Sequence, residues 1–225
     1  MNLFWNRYLS ENRQVYSATV VLPVGRTNEQ RVQDSTLGLL NAAIELFAEQ
    51  GYERTTAAEI GLRAGFSRNM VRDRYGSKDA LLASLFDTQF GQRLLPAMRR
   101  ERIGSGLERV LGQLDDLLAA VESEPDIIRA MIVLTFETPA ALRDFAPWFD
   151  DLISEYQGEL TGHFASGQRD GSVRAGLDPA HEAEAFVSYA IGLCFRSVLR
   201  RERYDFAAAI TAWRVRLAAH CANSA

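Results

Sequence analysis

Arg68, Asn69 and Arg72 lie within one short stretch, and their side chains suit the edges of base pairs. A guanidinium can donate two parallel hydrogen bonds to guanine, and an asparagine amide can pair at two points with adenine. Positions 68 and 72 are four apart, so on a helix they share a face and can enter a major groove together. Met70, between them, offers an apolar contact to a thymine methyl. Arg68, Asn69 and Met70 are therefore the expected readers of bases. Thr56, Ser67, Arg72, Arg74 and Lys78 are the expected holders of phosphate oxygens, and Tyr75 completes the DNA-facing set.

Such residues work only if two helices and a tight turn present them, and the flanking sequence encodes that arrangement. Thr56 with Glu59 three residues on forms a capping box for a first helix. Ala64-Gly65 ends that helix, with Gly65 free to take the left-handed conformation of a C-cap turn. Ser67 is placed to cap a second helix, which runs through Arg68, Asn69, Arg72 and Arg74 to Tyr75. Ile60, Ala64, Phe66, Val71 and Tyr75 are spaced to meet between the pair. This is the pattern of a helix-turn-helix.

The stretch from about Thr36 to Leu82 resembles the TetR/AcrR family of transcriptional regulators. Leu39 to Tyr52 is similar to that family's first helix and its Gly-aromatic exit. Thr56, Ile60, Ala64-Gly65 and Ser67 match its helix-turn-helix, and Ser77 to Leu82 matches the start of its fourth helix. Four positions depart from the pattern. Asn69 stands where a small residue is usual, Arg72 where tyrosine is, Arg74 where histidine is, and Tyr75 where phenylalanine is. The first three bear on which DNA sequence is preferred.

The resemblance implies a homodimeric repressor that binds an inverted-repeat DNA operator and is released by a small-molecule effector. The alternative is a DNA-binding protein whose C-terminal part answers to a protein partner.

The net charge of −4 argues at first sight against a DNA-binding protein. Its distribution answers the objection: from Arg63 to Lys78 there are five basic residues and one acid, Asp73. Local charge governs attraction to phosphates, because salt screens beyond roughly 8 Å. Cys194 and Cys221 lie far apart without metal-type spacing, as in a reduced, cytoplasmic protein. No run of apolar residues is long enough for a membrane span. No glycine-rich phosphate loop, GxSxG, HExxH or CxxC is present, so no catalytic residue, metal or cofactor is expected.

The whole pattern from Asp34 onward is helical, so the expected fold is all-α. A three-helix DNA-binding domain over 34–82 precedes a helical ligand-binding and dimerisation bundle over 83–225. Residues 1–33 read as a loosely ordered extension with a β-prone stretch at Val15–Val24. Arg26 and Arg31 would suit a minor-groove arm. Pro96 should kink or end the fourth helix, and Gly104-Ser105-Gly106 marks the second domain.

Helices are then expected near 107–122, 126–137, 147–167, 179–201 and 205–220. Met131, Thr135, Phe136, Trp148, Phe149, Tyr156 and Phe164 are the candidate lining of an effector pocket. On the last two helices, Phe186, Val187, Ala190 and Cys194, with Phe206, Ile210, Trp213 and Leu217, recur at helical spacing. With the family resemblance, they read as a dimer interface.

Overall fold

The computed structural model describes residues 28–100, 102–200 and 203–223, and the described residues from Ser35 onward make one compact unit. The chain is all-α, with no strand among the described residues. The β-prone stretch and Arg26 lie outside those residues. Residues 28–33 correct the expectation of a loose extension: they are the first turns of α1 (Asn28–Arg54), with Arg31 exposed on it. α1 buries Leu39, Leu40, Ala43, Ile44 and Phe47. It breaks at Gly51 (φ 82°, ψ 174°), where a residue with a Cβ would be strained.

α2 (Ala57–Arg63) and α3 (Met70–Tyr75) follow, bridged by Gly65 at φ 79°. Thr56 accepts from the Glu59 N–H at 3.2 Å while Glu59 accepts from the Thr56 N–H at 2.7 Å, so the capping box is complete. α4 consists of three consecutive stretches: an α-helix at Lys78–Leu85, a π-helix at Phe86–Leu94 and a last α-turn at Leu95–Met98. The helix ends two residues beyond Pro96, as expected. The irregularity upstream of it was not foreseen. There the Leu95 N–H reaches back to the Phe90 carbonyl, a wider loop than an α-helix makes.

The remaining helices lie close to their expected bounds: α5 (Gly106–Ser123), α6 (Pro125–Glu137), α7 (Ala146–Asp170), α8 (Pro179–Arg200) and α9 (Phe206–Cys221). Local chemistry sets their ends. Ser105 and Glu108 make a second capping box, Asp205 caps α9, and Gly171 closes α7 at φ 82°. α5 and α7 cross so closely that a Cβ on Gly106 would collide with the Gly167 backbone. α8 packs along α7, and α9 along α5.

The core joins α4 to this bundle through aromatic rings. Phe86 stacks on Trp148 at 4.4 Å between centroids and meets Phe145 and Phe149 edge-on, each at 5.2 Å. Phe90 lies against the same indole at 6.1 Å. The two aromatics of the π-helical stretch are thus the contact between the long helix and α7.

The stripe expected to form a dimer interface is corrected by its position. Phe186, Val187, Cys194, Phe206, Ile210, Trp213 and Leu217 are buried inside the chain, and Ala190 is half-buried. Phe186 and Trp213 meet at 4.6 Å between ring centroids. Periodicity marks a face that leaves water, and here the chain's own α5 and α7 cover it. The surfaces of α8 and α9 that remain exposed carry the small residues Ala185, Ser188, Gly192, Ala212 and Ala219 beside the larger Tyr189, Leu199 and Val215.

Both cysteines are free thiols and buried. No described helix is long and apolar enough to cross a membrane.

Phe86→Ala removes a fully buried ring from the α4–α7 contact and should destabilise the protein by about 3–5 kcal/mol. A fall in the urea midpoint with an unchanged slope would register it. The desolvated thiols, with Cys194 pushed up to about 12 and Cys221 to about 11, should stay unreactive toward Ellman's reagent at pH 8 until the protein is denatured.

Candidate nucleic-acid interface

α3 is six residues long and starts later than the sequence pattern indicated. Ser67 does not cap it. The N-cap position is Asn69, without a side-chain cap bond, and Ser67 closes a preceding turn by accepting the Met70 N–H on its carbonyl at 3.1 Å. The reason is the close approach of α2: a Cβ on Gly61 would collide with the Ser67 carbonyl, so Ser67 is held by its backbone. Arg68 and Asn69 therefore stand on the turn that leads into α3, and Arg72 on its first turn.

Those three side chains are exposed and make no side-chain hydrogen bond among the described residues. Three donor-bearing groups project from one short segment into water. Thr56 and Ser67 are also exposed, although the Thr56 hydroxyl is already committed to Glu59 at 2.8 Å.

Four residues assigned to the DNA-facing set have other work. Arg74 donates to the Ser35 hydroxyl at 2.7 Å and so ties α3 to α1. Tyr75 packs its ring against the core, and Met70 also leans inward rather than standing free for a thymine methyl. Lys78 is half-buried and turned toward the exit of α1. Its ammonium donates to the carbonyls of Tyr52 and Thr55, each at 2.7 Å, and lies 3.8 Å over the Tyr52 ring. Burial pushes its pKa below the usual lysine range, although the charges of Glu137, Glu53 and Glu59 oppose that. These inward turns share a cause: α2 and α3 are too short to hold their positions alone.

The charge count also changes once partners are known. Arg63 lies between Glu45 at 3.2 Å and Glu49 at 2.9 Å, and these hydrogen bonds raise its pKa further. Of the five basic residues from Arg63 to Lys78, Arg68 and Arg72 are the cations without a side-chain partner among the described residues. Sequence reasoning missed the Arg63 clamp and the Tyr52 contacts, because their partners lie on separate helices whose packing no local spacing reveals.

The expected pocket lining is distributed differently from a single wall. Trp148 and Phe149 belong to the packed ring cluster with Phe86, and Phe164 is fully buried. Phe136 is 53% exposed and rests on Phe195 of α8. The Thr135 hydroxyl is taken up by the Met131 carbonyl at 2.8 Å, and Met131 is half-buried. Tyr156 donates to the buried Gln113 at 3.1 Å. Nearby Asp116, 1% exposed, accepts from Arg102 at 2.6 Å through one oxygen, and its other oxygen has no partner among the described residues.

Three comparisons bear on this geometry. Residues 39–85 match the family of bacterial regulatory proteins, tetR family. The chain is 22% identical over 144 residues to a fatty acid metabolism regulator protein of Bacillus subtilis, covering 62% of this chain and 71% of that one. In structure it is similar to a TetR transcription regulator from Haloarcula marismortui, with a TM-score of 0.70 and 20% identity over 85% of this chain and 100% of that one. It is also similar to the regulator FadR from Bacillus subtilis, solved in complex with stearoyl-CoA. There the TM-score is 0.66 and the identity 18%, over 82% of this chain and 98% of that one.

Thr56→Ala removes the cap of α2 and should lower stability by about 1 kcal/mol. A thermal melt that does not move would show that α2 is held without it.

Proposed function

We propose that the chain is a DNA-binding transcriptional regulator of the TetR type, a homodimeric repressor released from its operator by a small-molecule effector; the match of residues 39–85 to the tetR family and the likeness to other regulators support this. The observation that carries the reading is the exposed, uncommitted trio Arg68, Asn69 and Arg72 at the start of α3. Arg68 and Asn69 read base edges in a major groove, and Arg72 holds a phosphate. In a dimer the two copies of α3 enter an inverted repeat about one helical turn, roughly 34–36 Å, apart.

Residues 34–82 form the DNA-binding head in this reading, and residues 83–225 receive the effector and pair the subunits. Pairing uses the exposed surfaces of α8 and α9, with Gly192, Ala212 and Val215 near the centre, in place of the buried stripe. Small side chains let two such faces approach closely about a two-fold axis.

An effector with an apolar body and a polar end suits the second half of the chain. Aromatic rings from α4 and α7 offer the apolar lining, and Gln113, Asp116 and Tyr156 offer buried polar partners. The stearoyl-CoA bound by the Bacillus subtilis regulator has that general character. To move the protein from about 99% competent to about 99% released, the effector must prefer the released state by roughly 5.5 kcal/mol.

Selection of bound genomic fragments at a stated salt concentration supplies the DNA for the test. Arg68→Ala should weaken binding to the selected site by about 1–3 kcal/mol and relax the preference at one base position. Arg72→Ala should weaken binding evenly across sequences and reduce the salt slope by about 1. Identical losses on every sequence would contradict the division between the two. Ala212→Glu should give monomers in sedimentation, and an intact dimer would move the interface off these faces.

A further inference from the structure

Tyr52 is the point where three parts of the chain meet. Gly51 breaks α1, which frees the Tyr52 N–H from the helical ladder, and that N–H donates to the Glu137 carboxylate at 2.7 Å. The Glu53 N–H donates to the same carboxylate. The Tyr52 carbonyl accepts from Lys78, its ring lies beneath the same ammonium, and its hydroxyl donates to Asp79. Lys78 and Asp79 open α4, whereas Glu137 is the last residue of α6, 85 positions along the chain from Tyr52.

Several features show that this contact is built rather than incidental. The Glu137 carboxylate lies directly against Gly51, whose positive φ is a conformation that residues with a Cβ rarely adopt. The end of α6 is wound firmly around Glu137, whose carbonyl accepts from the N–H groups of Ala140, Ala141 and Leu142 at 3.1, 3.0 and 3.3 Å. The next residue, Thr138, is buried, with its hydroxyl on the Leu134 carbonyl at 3.0 Å. The carboxylate thus projects from a fixed base onto the two N–H groups just past the break in α1. Partial burial raises its pKa, the direction expected of a charge taken from water to make this contact.

We propose that Glu137 is a positioning residue: its carboxylate latches the C-terminal end of α6 onto the break in α1, and through this latch the regulatory half of the chain sets the angle of the DNA-binding head. This inference rests on the regulator reading above. The latch acts on Tyr52, and Tyr52 shares Lys78 with the Thr55 carbonyl, which directly precedes the cap of α2. A shift of α6 therefore reaches the helix-turn-helix without passing along α4. Tyr52 is also held by both residues that start α4, so the two routes converge on one side chain. An effector that moves the end of α6 pulls the carboxylate from the N–H pair and leaves the head free to turn.

The test uses the full-length protein and two variants of equal charge, Glu137→Ala and Glu137→Gln. Both remove the negative charge, and only glutamine retains an oxygen able to accept the Tyr52 N–H. Amide exchange at Tyr52 and Glu53 should be about tenfold faster in Glu137→Ala than in Glu137→Gln. Exchange at core amides such as Leu82 should be the same in both. Affinity for a selected DNA fragment should fall roughly tenfold in Glu137→Ala with an unchanged salt slope, and glutamine should restore it.

Equal exchange in the two variants would overturn the latch. Different exchange with equal DNA affinity would overturn its positioning role. If even the wild-type chain selects no fragment, the regulator reading fails, while the exchange comparison still decides the latch. Should Glu137→Ala not fold, Glu137→Asp keeps the charge but withdraws the oxygens by one methylene, and it should exchange as fast at Tyr52 as predicted for alanine.

Discussion

A lysine ammonium held by two backbone carbonyls keeps the helix-turn-helix in shape. α2 and α3 have seven and six residues, too few to be stable in isolation, so their placement depends on the longer helices on either side. Lys78 joins the start of α4 to Tyr52 and Thr55 at the exit from α1. Arg74 joins α3 back to α1 through Ser35, and Arg63 joins α2 to α1 through Glu45 and Glu49. Three cations that look available for phosphate on charge alone are thus partnered within the head, and in return the turn carrying Arg68 and Asn69 is held steady. Fixed geometry is what base recognition requires, because a bidentate contact tolerates little displacement.

The same arrangement explains how an acidic chain serves as a DNA-binding regulator. Net charge governs solubility and encounter at long range, but in the proposed reading the surface that meets DNA is set by which cations lack partners among the described residues. Arg68 and Arg72 meet that condition, beside Asn69. Behind them, the long helix α4 passes from the head into the ring cluster of Phe86, Phe90 and Trp148, and its π-helical stretch lies at that contact. A stretch with wider hydrogen bonding is easier to rewind than a regular helix, which suits a segment shared by two working parts.

What could be read from the sequence was what local chemistry determines. The Thr56–Glu59 capping box, the Gly65 turn and the ends of α5 to α9 all follow from residues within a few positions of one another. What could not be read depends on partners far along the chain. Nothing in the spacing of Lys78 shows that it turns toward Tyr52, or that Met70 and Tyr75 turn inward. The apolar stripe through Phe186 and Trp213 was visible as a buried face, but periodicity is the same whether another subunit or the chain's own helices cover it. The π-helical stretch left no local signal beyond Pro96 downstream.

The central claim is that the turn before α3 and its first residues enter the major groove. Dimethyl sulfate probing of a selected DNA fragment tests this directly, because the reagent methylates guanine N7 in the major groove and adenine N3 in the minor groove. The account predicts protection of guanine N7 in two clusters about one helical turn apart on one face of the duplex. Protection confined to adenine N3, or spread without discrete clusters over DNA that is nonetheless bound, would contradict it.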